Sequence, residues 1–137
     1  IISYFFKGKN INDFKKKAQH FSLNNIDSLI RKKALEKIVW HKKNGHVVVI
    51  VSASIDLWLK PWCEKNNIEL ISTMLEIDDK IITGKTYQMN CYGPEKVKRI
   101  REIYNLSDYK YIYAYGNSRG DYEMLSIANE SHYKPFT

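Results

Sequence analysis

A chain of 137 residues, 44% hydrophobic and 27% charged, suits one compact domain and excludes a disordered segment. The formal charge of +7 gathers at 15–17, 31–33, 42–43 and 96–101. Such clusters read as solvated helix faces that would also draw an anionic substrate or an anionic membrane surface, and no nucleic-acid motif accompanies them. No apolar run is long enough to span a bilayer, and Cys63 and Cys91 stand apart from each other and from any histidine at a zinc interval. A reduced, cytoplasmic protein is the expectation.

Taken in chain order, residues 1–6 read as the tail of a helix that begins elsewhere. Ile11, Phe14, Ala18 and Phe21 recur at helical spacing. A longer helix-like region follows, with Ile26, Ile30, Leu35, Ile38 and Val39 as its inward stripe and Asn44-Gly45 as its stop. The β-branched run 47–51 predicts a strand covered on both faces. After Ser54 a short helix is expected, and Pro61 is placed in the first turn of a second short helix that ends near Asn66-Asn67. Residues 68–72 read as the next strand, and 75–77 with 81–83 around Asp78-Asp79-Lys80 as a β-hairpin. A helix over 94–104 carries Val97, Ile100 and Tyr104. Then come a strand at 111–115, a helix from about 121 to 128 and a short strand near His132. Strands alternating with helices argue for a three-layer α/β arrangement around a Rossmann-like parallel sheet.

Three segments carry the chemistry. Val47-Val-Val-Ile-Val-Ser-Ala-Ser54 is a buried strand ending in hydroxyls, where Ser52 sits beside the backbone N–H groups of Ala53 and Ser54 at a helix start that favours an anion. Gly93-Pro-Glu-Lys96 opens a helix with a lysine in its first turn, a poor place for a cation unless an anion lies nearby. Tyr111-Ile-Tyr-Ala-Tyr-Gly-Asn-Ser-Arg-Gly-Asp121 is a strand running into a polar loop, with Asn117 and Asp121 as oxygen ligands for a hard cation near a phosphate. The bland alternatives are that Ser52 and Ser54 cap a helix, Lys96 is one more solvated lysine, Asn117 shapes a turn, and Asp121 caps the last helix. Lys98, Arg99 and Arg101 read as surface. Tyr92 and Trp58 are candidates for a substrate entrance, and the four histidines, lacking mutual metal spacing, are assigned no catalytic role.

In this order and at these separations, Val-Ser-Ala-Ser, Gly-Pro-Glu-Lys and Gly-Asn-Ser-Arg-Gly-Asp-Tyr-Glu-Met-Leu resemble the haloacid dehalogenase superfamily, in its phosphoserine-phosphatase-like branch. The resemblance implies part of a helical cap over residues 1–25, and over 26–137 the family's α/β core without its first strand. It gives phosphate binding to Ser52, Ala53 and Lys96, catalytic roles to Lys96 and Ser52, and Mg2+ to Asn117 and Asp121. Two departures stand out. The family has Asp where this chain has Asn117, and the Asp-x-Asp motif that carries its nucleophile occurs nowhere here. The 137 residues are therefore expected to be the C-terminal part of a longer protein that carries the nucleophile, with the missing central strand lying in that longer protein, supplied by another chain or replaced by rearrangement.

The function so implied is a phosphatase acting on a small phosphorylated substrate through an aspartyl-phosphate intermediate, with the chain inactive alone. The alternative is a noncatalytic module of degenerate fold that binds phosphate or an anionic polymer.

Overall fold

The computed structural model describes residues 7–136; the helix tail expected at 1–6 lies outside them. The chain divides into two compact units, one up to Asn90 and one from Cys91. Residue 25, the expected end of the cap segment, lies within the first helix, Ile11–Leu29.

Helix α1 runs Ile11–Leu29, opened by Asn10, whose Oδ1 accepts from the N–H groups of Asn12 and Asp13. Ile30 and Arg31 are extended, so the long second helix expected from about residue 26 is in fact α2, Lys32–Lys43. Ile26 belongs to α1, and Val39, placed on the inward stripe, is 49% exposed. Asn44-Gly45 does end α2: Gly45 N–H donates to Lys42 O and His46 N–H to His41 O, the paired bonds of a Schellman cap.

Strand β1 is Val49–Ile55, two residues later than expected at its start, with Val47 left exposed. It pairs in parallel with β2, Glu69–Thr73. Between them lies α3, Asp56–Lys65, one helix with Pro61 inside it rather than two short ones. A proline at this depth removes a helical N–H and crowds the carbonyl of Leu57. The next amide, Trp62 N–H, is held from α1 by Ser22 Oγ at 3.0 Å, and Trp62 Nε1 donates to Asp27 Oδ1 at 2.7 Å. The residue after the proline is thus tied to α1 through both its amide and its indole.

The hairpin is as expected: β3, Leu75–Asp78, and β4, Ile81–Thr86, are antiparallel. Asp79 and Lys80 both have positive φ, the backbone of a type I′ turn. The segment before α1 adds to β4, with Ile82 N–H donating to Lys9 O and Gly8 N–H to Ile82 O. The core of this unit is two apolar clusters. Ile11, Phe14, Ala18, Ile55, Leu75 and Ile82 form one; Ile26, Trp62, Cys63 and Ile68 form the other. Trp58 stands edge-on to Phe14 and Phe21 as part of this packing.

In the second unit, α4 spans Pro94–Ile103, β5 Tyr113–Gly116, α5 Tyr122–Ser126 and β6 Glu130–Tyr133. The helix expected over 121–128 begins as a 3-10 turn, Arg119–Asp121, and α5 is shorter. Strands β5 and β6 are parallel, with Tyr113 opposite Glu130 and Gly116 opposite Tyr133. Among the described residues β1 has only β2 as a ladder partner, and β5 only β6.

Candidate functional site

The loop after β5 is built around one carboxylate. Ser118 opens the 3-10 turn in a capping box: its side chain meets the Asp121 backbone, while Asp121 reaches back to the Ser118 N–H. Asp121 Oδ2 also accepts from the Asn117 N–H at 2.9 Å, and the Ser118 Oγ stands 3.3 Å away. Gly116 permits this: a Cβ there would lie 2.5 Å from Asp121 Cβ, so only glycine lets the carboxylate fold back over the strand end.

The other oxygen, Asp121 Oδ1, accepts from Lys96 Nζ at 2.5 Å, and both residues are buried. Lys96 is the third residue of α4, whose Gly93 start and Pro94 fix the first turn. A cation there opposes the helix dipole; the Asp121 carboxylate is the anion that compensates it. Burial by itself would raise the Asp121 pKa. The hydrogen bond from Lys96, the Asn117 N–H, the Lys96 charge and the Ser118 N–H together hold it below the ordinary 3.8.

The structure thus brings Lys96, Asp121 and the Asn117 backbone together in one unit. Asn117 itself is exposed at the strand end. Four donors surround the Asp121 carboxylate: two N–H groups and the Ser118 hydroxyl at Oδ2, and the Lys96 ammonium at Oδ1. Asn117 offers an uncharged amide oxygen. Among the described residues no cluster of three His, Cys, Asp or Glu side chains could hold a metal.

Ser52 and Ala53 belong to the first unit. Strand β1 does not end at Ser52. Its register slips there, Ser52 facing Ser72 and Ile55 facing Thr73, so that Ala53 and Ser54 bulge out. Ser52 Oγ accepts from the Ser54 N–H at 3.0 Å, which takes up one of the two amides expected to receive a phosphate. Ser54 is not a helix cap, because Ile55 holds that position and α3 has no side-chain cap.

Sequence reasoning missed the buried face of α4. Arg99, read as surface, is 4% exposed and pairs with Glu95 Oε1 at 3.2 Å. The i, i+4 spacing of Glu95 and Arg99 was the available signal. It also missed that Tyr92 packs over Gly120, and that His41 Nδ1 and His46 Nδ1 meet at 2.8 Å around the Gly45 turn.

With this geometry in view, comparison with known proteins gives the class. A family model described as haloacid dehalogenase-like hydrolase matches residues 1–126. This chain belongs to that family. The protein CicA of Caulobacter vibrioides is 36% identical over 139 residues, covering 98% of this chain; the chain spans only 61% of that relative's length. A protein of unknown function from Bordetella pertussis Tohama I shares the fold with a TM-score of 0.78 at 19% identity, over 90% of this chain and 58% of that one. A probable phosphoserine phosphatase from Vibrio cholerae does so at 0.71 and 17%, over 98% and 41%. The α/β, Rossmann-like fold of the family is thereby established. No helix among the described residues is long and apolar enough to cross a membrane.

Proposed function

We propose that the parent protein is a phosphatase for small phosphorylated substrates that works through an aspartyl-phosphate, the nucleophilic carboxylate lying outside these 137 residues. The observation that supports this reading most is the buried Lys96–Asp121 pair. Phosphoryl transfer needs fixed positive charge beside an in-line nucleophile more than it needs further covalent chemistry. An ammonium held rigidly by Asp121 supplies that charge to a phosphate oxygen or to the nucleophile. Ser52 is proposed to donate its hydroxyl to the phosphate, with the Ala53 N–H beside it. For the role of α1 we propose a contribution to a cap, and for the parent protein a further strand that carries the nucleophile from outside these 137 residues.

Mg2+ is the cofactor proposed for the parent protein, where it would neutralise phosphate charge. Of this chain, Asn117 could hold it through its amide oxygen and Asp121 through Oδ1, the oxygen that faces Lys96. The full-length parent should turn over para-nitrophenyl phosphate with Mg2+, and the 137-residue chain should not. Robust activity of the short chain, abolished by Lys96→Ala, overturns the external nucleophile; a silent parent overturns the phosphatase reading.

Asn117, an amide where the family has a carboxylate, favours a second reading, a degenerate domain that binds phosphate or an anionic polymer without turnover. Asn117→Asp separates the two. A rise in Mg2+ affinity and activity in the parent marks a weakened enzyme. Steeply salt-dependent binding of a polyanion with no turnover in either form marks a binding module.

A further inference from the structure

Tyr92 is half exposed, yet its ring has a defined seat. It lies on the backbone of Gly120, where a Cβ would stand 2.5 Å from Tyr92 Cδ2 and 2.9 Å from Cζ. Any other residue at 120 would push the ring away. Next to this contact the Gly93 N–H donates to Gly120 O at 2.9 Å. Gly93 starts α4, and the Lys96 N–H donates to Gly93 O at 3.1 Å, one turn on. Gly120 in turn precedes Asp121. The lysine helix and the aspartate loop are therefore joined one residue before the carboxylate and one helical turn before the ammonium. Glu123 closes the far side, its Oε2 3.7 Å from the place of a Gly93 Cβ, an anion at the positive end of α4.

We infer that Tyr92 and Gly120 are positioning residues for Lys96: the ring clamped on the glycine backbone sets where the ammonium stands relative to Asp121. Neither touches the reacting groups. The kinetic consequence rests on the phosphatase reading; the placement of Lys96 does not.

In the full-length parent, Tyr92→Ala and Gly120→Ala are each expected to lower kcat on para-nitrophenyl phosphate about tenfold with little change in KM, since misplaced groups cost rate more than binding. Tyr92→Phe restores kcat, because the ring rather than the hydroxyl makes the contact. The double Ala variant is no worse than either single one, as for two halves of one contact. Independently of turnover, the Lys96 ammonium signal in 1H–15N spectra, observable while Nζ is held, is expected to broaden away in Tyr92→Ala and persist in Tyr92→Phe. An unchanged Lys96 signal in Tyr92→Ala overturns the inference even where kcat falls, and so do additive losses in the double variant. A wild-type parent without activity rejects the phosphatase reading alone, and the Lys96 signal then decides the positioning role.

Discussion

The two compact units hide different chemistry from water. Up to Asn90 the buried side chains are mostly apolar, from Ile11 and Phe14 through Trp62 to Ile82. From Cys91 onward only Cys91 and Ala114 among the buried residues are hydrophobic, beside Glu95, Lys96, Arg99 and Asp121. Apolar burial is non-directional and tolerates repacking, whereas buried charge tolerates nothing that leaves a partner alone. The first unit is thus built as a scaffold. The second holds geometry at the expense of stability, as a site does.

The largest effect should come from breaking that geometry. Lys96→Met leaves the Asp121 carboxylate buried without its ammonium and should cost about 3–5 kcal/mol in urea unfolding. Lys96→Met/Asp121→Asn, which keeps an acceptor for the Asn117 and Ser118 N–H groups, should recover much of that. If the double variant is no more stable than the single one, the pair is not what sets the second unit apart.

Acid sharpens the same contrast. The Asp121 pKa is lowered on folding, so its contribution is complete above the ordinary value of 3.8 and is lost as pH falls through the lower, folded value. Stability measured from pH 6 down should fall in that acid window, and Lys96→Met should flatten this part of the curve. An unaltered curve would mean that the carboxylate titrates normally.

In the first unit, Ser22→Ala tests a polar contact inside an apolar core. It removes the acceptor of the Trp62 N–H and should cost about 1–3 kcal/mol. With Pro61→Ala present the ring no longer crowds the Leu57 carbonyl, the turn can tighten until the Trp62 N–H reaches the Trp58 carbonyl, and the cost should shrink. Equal costs in both backgrounds would show that Ser22 does not compensate the proline.

What could be read from the chain follows this division. Strand and helix order, the Asn44-Gly45 stop and the 78–80 hairpin were legible, because apolar periodicity and turn chemistry are local. Pro61 inside α3 was not: the contact beside it, Trp62 N–H on Ser22 Oγ, spans 40 positions. The burial of Arg99 was hidden because a basic cluster reads as solvent-facing until Glu95 is seen beside it. Lys96 and Asp121 were legible as candidates from their motifs, but the four donors that crowd Asp121 come from loop geometry that no spacing encodes.

The smallest effect lies at the hairpin, where local chemistry should act alone. Lys80 adopts φ 64 without the freedom of glycine, and its carbonyl still accepts from the Ile11 N–H at 2.8 Å. A left-handed conformation strains a residue with a Cβ, so Lys80→Gly should relieve about 0.5–1 kcal/mol, part of it returned to the greater entropy of the unfolded chain. Since the backbone bond to Ile11 needs no side chain, the gain should appear as a raised urea midpoint with an unchanged slope. A loss instead would mean that the Lys80 side chain contributes to the first unit, and that even its turns are not set by backbone preference alone.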